Sequence, residues 1–155
     1  SKEISHVTEK AIMPVINLDD FPNSVVDVFI ELPQTDAGTR CAGICAASIA
    51  LADAGISMRD MIASVAVGRV DDKIVVDLNY DEEAYEEGGV ADIPIAMSPR
   101  TGEVTLLQLD GKIKKEELRK AIDAAKKTLK KINEKQKNLI IISALIYLRI
   151  EIILL

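Results

Sequence analysis

Apolar residues recur along this chain at changing intervals, and the intervals predict the elements. Ile4, Val7, Ala11 and Ile12 recur at three and four residues, which predicts one apolar helix face over residues 1 to about 15, with Pro14 ending the helix. After the Asp-Asp-Phe-Pro-Asn punctuation at 19–23, the run Val25 to Leu32 is rich in Val, Ile and Phe and predicts a strand. Thr39 to Ala54 is apolar and small throughout and predicts a buried helix, closed by a left-handed Gly55. Met58 to Ile62 reads as a short helical turn. Ala63 to Arg69 and Lys73 to Asn79 read as a hairpin turning at Asp71-Asp72. Tyr80 to Gly89 carries Asp81, Glu82, Glu83, Glu86 and Glu87 and reads as an exposed acidic loop. Asp92 to Met97 and Glu103 to Leu109 predict two more strands, joined through Pro99-Arg100-Thr101-Gly102. Leu118, Ile122, Ala125, Leu129 and Ile132, separated by charges, predict an amphipathic helix over 114–136 that packs on the sheet.

The pattern changes abruptly at Asn138, beyond which residues 138–155 are mostly Leu and Ile. A membrane span is disfavoured, because Arg149 and Glu151 interrupt a run far short of the roughly 20 apolar residues a bilayer needs. An added strand or a docked helix is a second reading. The preferred one is a segment foreign to the domain, which divides the chain into 1–137 and an atypical hydrophobic tail at 138–155. The opening helix has no cap before it beyond Ser1 and no initiator Met, so a longer parent chain is expected.

The 155 residues suit one compact domain, and aromatics at 3% require an aliphatic core. Cys41 and Cys45 lie four apart on one helix face, too poorly placed to bridge each other. The single histidine, His6, is remote from them, which argues against zinc. Free thiols and the lack of a recognisable leader point to a reducing, cytoplasmic setting. A net charge of −6 excludes broad non-specific binding of nucleic acid, so any contact with RNA has to be local.

Two stretches could carry chemistry. Gln34-Thr35-Asp36-Ala37-Gly38-Thr39-Arg40 lies between a predicted strand and a helix start, where free backbone N–H groups and the helix dipole favour an anion. Gly38 permits close approach, Thr39 adds a hydroxyl and Arg40 a guanidinium fork, all suited to phosphate. The alternative is a turn glycine, a threonine cap and an arginine facing water. The second stretch is the acidic loop with Asp92 beyond it. Carboxylates beside a phosphate can hold a divalent cation or donate a proton, although an acidic run is more often a solvated loop. Asp92 stands apart because aspartate suits a strand poorly.

The blocks Ser24 to Glu31, Asp36 to Gly43, Ala50 to Asp60, Asp77-Leu78-Asn79, Ala91 to Pro94 and Leu107 to Gly111 together resemble the catalytic ring subunit of the archaeal exosome, a member of the RNase PH family. The likeness spans roughly Glu3 to Lys137. It implies an α+β fold of the ribosomal-protein-S5-domain-2 type, with 39–54 and 114–136 packed on a mixed sheet whose N-terminal part is missing, along with an arginine pair that grips RNA. It also implies a 3′→5′ exoribonuclease that uses inorganic phosphate to release nucleoside diphosphates, and that adds RNA tails in reverse. The loop at Gly38, Thr39 and Arg40 would bind phosphate, and Asp92 would sit by Mg²⁺ or the leaving oxygen. A partner aspartate is expected six residues before Asp92, where Glu86 stands; counting forward from Asp77 reaches Glu83 instead. Either glutamate shifts the carboxylate by about 1 Å, enough to cost on the order of 100-fold in rate. Implied partners are RNA, a related inactive subunit in a hexameric ring, and RNA-binding cap subunits. A non-catalytic ring subunit that holds RNA, or an inactive fragment, are the competing readings.

Overall fold

The computed structural model describes residues 2–153, and the surroundings of side chains through residue 144. Helix α1 (Lys2–Ile12) passes through short 3₁₀ turns at Met13–Val15 and Leu18–Asp20 to an extended segment, followed by α2 (Thr39–Asp53). Strands β1 (Ala63–Val70) and β2 (Lys73–Val76) come next, then a short α3 (Tyr80–Glu83), β3 (Val90–Met97), β4 (Val104–Leu107), β5 (Asp110–Gly111) and the long α4 (Lys115–Ile153). The sheet order is β2-β1-β3-β4, with β5 also on β3, and each of these pairings is antiparallel.

Strand periodicity sorts the central pair onto two cores. Val65 faces Ile95 and Val67 faces Ile93, and these side chains meet Ala121, Ala125 and Leu129 of α4. The intervening positions Ser64, Ala66 and Gly68 on β1, opposite Ala96, Pro94 and Asp92 on β3, belong to the other face. That face receives α1 and α2 through Ala11, Ile12, Val15, Ile44, Ala47 and Leu51. Each fully buried Ile or Leu contributes about 1.5–3 kcal/mol. The amphipathic stripe predicted for α4 is therefore its contact face, and the fold is of the α+β class.

Buried polar groups bind the layers together. Gln136 Nε2 donates to the Ile62 carbonyl at 2.9 Å and to the Cys45 carbonyl at 3.3 Å, joining α4 to both α2 and the start of β1. Ser48 Oγ accepts from the Ile62 amide at 2.8 Å. Arg69 donates to the carbonyls of Asp71 and Gly88 and, at 3.0 Å, to that of Lys112, pinning the segments that lead into β3 and out of β5.

Several sequence expectations need correction. Val25 to Leu32 forms no strand, since no ladder partner lies beside it among the described residues; Val25 and Phe29 are 85% and 89% exposed, and only Ile30 packs inward. Met58 to Ile62 is not a helical turn. Its backbone is taken by cross-links: Met58 bridges Ile16, and the Arg59 amide donates to the Val15 carbonyl at 2.7 Å. Helix α2 is buried on one face only, with Ala42, Ala46 and Ala50 open to solvent; the small residues that suggested full burial permit close packing instead. Helix α4 does not stop near Gln136 but runs without a break to Ile153, with Leu139, Ile141 and Ile142 each more than half exposed. Where the side chains of the tail beyond residue 144 lie is outside the described residues. No helix among the described residues is long and apolar enough to cross a membrane.

Replacing Gln136 with Met keeps the volume and removes the amide. Urea unfolding is expected to show a loss of about 1–3 kcal/mol from the carbonyls left without a donor, whereas Phe29→Ser should change stability by less than about 0.5 kcal/mol.

Candidate active site

The site grows from the even-numbered face of β1 and β3. Because Ser64, Ala66 and Gly68 are small, α2 lies close over them: Cys45 Sγ donates to the Ser64 carbonyl at 3.3 Å and accepts from its amide at 3.2 Å. This brings the start of α2 over the same face that carries Asp92. Gly38 is the N-cap residue, with φ of 66°, a left-handed conformation that strains any residue with a side chain. No side chain caps the helix, so Thr39 is the first helical residue rather than the cap. The Gly38 carbonyl accepts from the amides of Cys41 and Ala42, so the amides at the helix start that an anion could use are those of Thr39 and Arg40.

Arg40 is held from two sides. Its Nη1 donates to Gln108 Oε1 at 2.6 Å, and its Nη2 lies 3.7 Å from the exposed Glu3 carboxylate. Its Nε is buried without a partner. Asp36 Oδ1 accepts from the Tyr80 amide at 3.1 Å, tying the loop before α2 to α3.

Across from Arg40 lies an acidic cavity of about 290 Å³, lined by Glu83, Val90, Asp92, Asp110 and Gly111. Asp92 pairs directly with Asp110 across β3 and β5, which puts two carboxylates on one face. A side chain at position 111 would collide with the Val90 carbonyl, so glycine is required for β5 to approach this closely. The Asp92 pKa is raised from 3.8 to about 6, chiefly by burial and then by the charges of Glu83 and Asp110, against the opposing pull of the Ile93 amide and the Arg40 guanidinium. Arg40 and Asp92 thus feel each other's charge. Asp92 Oδ1 is buried with no partner. Cys41 is likewise driven up, to about 11, chiefly by burial, and both thiols are free, which makes them unreactive core groups.

Of the residues singled out from sequence, Gly38, Thr39, Arg40, Asp92 and Glu83 gather at one end of the sheet; Glu83 and Glu86 are both exposed, but only Glu83 lines the cavity. The acidic stretch is not wholly a loop. Asn79 accepts from the Glu82 amide and Glu82 from the Asn79 amide, both at 2.9 Å, a capping box that starts α3 and leaves Glu83 turned to the cavity. The Asn-x-x-Glu spacing signals that turn in the sequence. Glu3, Gln108 and Asp110 were not recognised as site residues, and no local pattern marks the first two; Asp110-Gly111 is a tight-approach pair visible only once β5 is placed.

Residues 1–57 match the model of the 3′ exoribonuclease family, domain 1, and residues 60–128 match its domain 2. The chain belongs to that family, which is the RNase PH family. It is 52% identical over 137 residues to the exosome complex component Rrp41 of Thermococcus gammatolerans, covering 88% of this chain and 54% of the relative. It is 47% identical to the Rrp41 of Methanopyrus kandleri, covering 88% and 56%, and 48% identical to that of Nitrosopumilus maritimus, covering 87% and 54%. The chain thus spans about half the length of these curated relatives. The crystal structure of rice Rrp46 superposes with a TM-score of 0.79 at 17% identity, covering 90% of this chain and 64% of that one, a likeness of fold.

The raised Asp92 pKa has a consequence for stability. Its ionised form is disfavoured in the folded chain, so the penalty is absent below the unfolded value near 3.8, grows through the interval up to about 6, and is complete above it. Asp92→Asn is expected to stabilise the chain at pH 8 by about 1 kcal/mol, discounted for partial exposure, an increase of roughly 2–4 °C in Tm. At pH 3.5 the two proteins should melt together; an equal gain at both pH values would remove ionisation as the cause.

Proposed function

We propose that this chain is the phosphate- and acid-bearing part of a phosphorolytic 3′→5′ exoribonuclease, working in an exosome-type ring with a related inactive subunit and RNA-binding caps. The observation that carries this reading is the meeting of Arg40 and Asp92 at one end of the sheet, close enough for the guanidinium to lower the carboxyl's pKa. In this reading residues 1–137 belong to the catalytic domain and 138–155 lie outside it.

Inorganic phosphate sits at the start of α2, held by the Gly38–Arg40 backbone, the Thr39 hydroxyl and the Arg40 fork. One of its oxygens attacks the phosphorus of the terminal phosphodiester. The P–O3′ bond breaks, a nucleoside diphosphate leaves, and the new RNA end takes a proton at O3′. A carboxyl with a pKa near 6 is suited to donate it, which assigns that part to Asp92, while Glu83 raises the proton affinity of Asp92 from across the cavity. Positioning and charge stabilisation supply most of the rate in such transfers, and they need no covalent intermediate.

Mg²⁺ fits this donor set in its usual water-rich form, held by one or two carboxylates. Asp92, whose Oδ1 has no partner, would in its ionised form hold it together with Glu83 or Asp110, a role alternative to that of proton donor. No group of three His, Cys, Asp or Glu side chains among the described residues gathers tightly enough to bind a metal by protein atoms alone. When bound, the ion would offset negative charge on the leaving oxygen.

A non-catalytic ring subunit that holds RNA is favoured by one feature, the glutamate at 83 where the family resemblance expects the shorter aspartate. The two readings part in one assay: 3′-labelled RNA and Mg²⁺ with the chain assembled beside its ring partner, with and without phosphate. The enzyme is expected to release nucleoside diphosphate only with phosphate, Arg40→Ala to lower the rate about 10²–10³-fold, Glu83→Gln about 10-fold or more, and Glu86→Gln less than about threefold. Intact RNA retained by the assembly would instead identify a holding subunit.

A further inference from the structure

We propose that Gln108 is a positioning residue for Arg40, a neutral tether that aims the guanidinium while leaving its positive charge for the anion. This inference rests on reading the start of α2 as a phosphate seat. Arg40 has no acceptor of its own, so the 2.6 Å contact requires that the Gln108 amide present its oxygen, and the contact spans 68 residues of sequence. Among the described residues, the other acceptor beside Arg40 is the Glu3 carboxylate, at 3.7 Å and 70% exposed, where solvent screens the attraction.

The backbone explains why Gln108 is placed to do this. Its amide donates to the Pro94 carbonyl at 3.0 Å, extending the β4 side of β3 by one more residue, opposite a position on the same face as Asp92. Two residues later Asp110 pairs with Asp92 itself. The segment Gln108–Gly111 therefore touches both halves of the site: its first residue orients Arg40, and its last two wall the acidic cavity. A tether in this place must hold a cation without neutralising it. An amide oxygen orients the fork through a directional hydrogen bond. A carboxylate of the same shape would form a charge-assisted pair and compete with the phosphate for the same N–H groups.

The test follows from that opposition, because a merely structural role would make phosphate affinity follow stability. Inorganic phosphate is titrated into the chain at pH 7.5, following the backbone amide resonances of residues 38–42, and Tm is measured on the same samples. Gln108→Glu is expected to keep or raise Tm while weakening phosphate binding at least tenfold. Gln108→Met, whose thioether is at most a weak acceptor, is expected to lower Tm slightly and weaken binding about threefold. Gln108→Glu binding phosphate within twofold of the unsubstituted chain overturns the inference while leaving the phosphate seat intact, and so does an affinity that falls only in step with Tm in both variants. Should phosphate leave the amides of residues 38–42 of the unsubstituted chain unmoved, the seat itself is refuted and the role of Gln108 with it.

Discussion

The antiparallel register between β1 and β3 is the constraint from which the site follows. With Val67 opposite Ile93 and Gly68 opposite Asp92, the core aliphatics Val65, Val67, Ile93 and Ile95 point to α4, while Ser64, Ala66, Gly68 and Asp92 lie on the opposite face. A slip of one residue would bury Asp92 beneath α4 and turn Ile93 toward the start of α2. Burial of Ile93, Ile95 and Leu129 holds that register, so the apolar core on one face of the sheet determines the chemistry of the other.

The functional face is assembled at a cost. Asp92 and Asp110 stand opposite each other, Glu83 adds a third negative charge, and one oxygen of Asp92 is buried with no donor. Arg40 offsets part of this but is itself incompletely paired. One oxygen of Asp92 and the Nε of Arg40, both buried without a partner, cost the fold stability. Under the proposed function, these are the groups that would meet a phosphate on one side and a cation or proton on the other. The surrounding clamps, Arg69 on the flanking segments and Gln136 between α4 and α2, make the arrangement rigid enough to persist.

Where expectation and structure part, the reasons are physical. Val25 to Leu32 has the composition of a strand, but a strand exists only with a neighbour, and none lies beside it among the described residues. Met58 to Ile62 lost its helical turn to the bridge with Ile16 and the bond to Val15, contacts more than 40 residues away in sequence. Glu83 and Glu86 were equivalent candidates in sequence, and the Asn79–Glu82 capping box separates them by starting a helical turn that presents Glu83 and leaves Glu86 outside.

The sequence by itself determined the local elements with strong periodicity, namely α1, α2, the β1–β2 hairpin, β3 and the apolar stripe of α4. It also marked Gly38, Thr39 and Arg40 as the candidate anion seat, because backbone conformation at a helix start and side-chain chemistry are properties of a few adjacent residues. Only the tertiary structure decided which residues stand across from that loop. Gln108 reaches Arg40 over 68 positions, and Asp110 meets Asp92 through a two-residue strand, since long-range pairing depends on the packing of the whole sheet and leaves no mark within either segment.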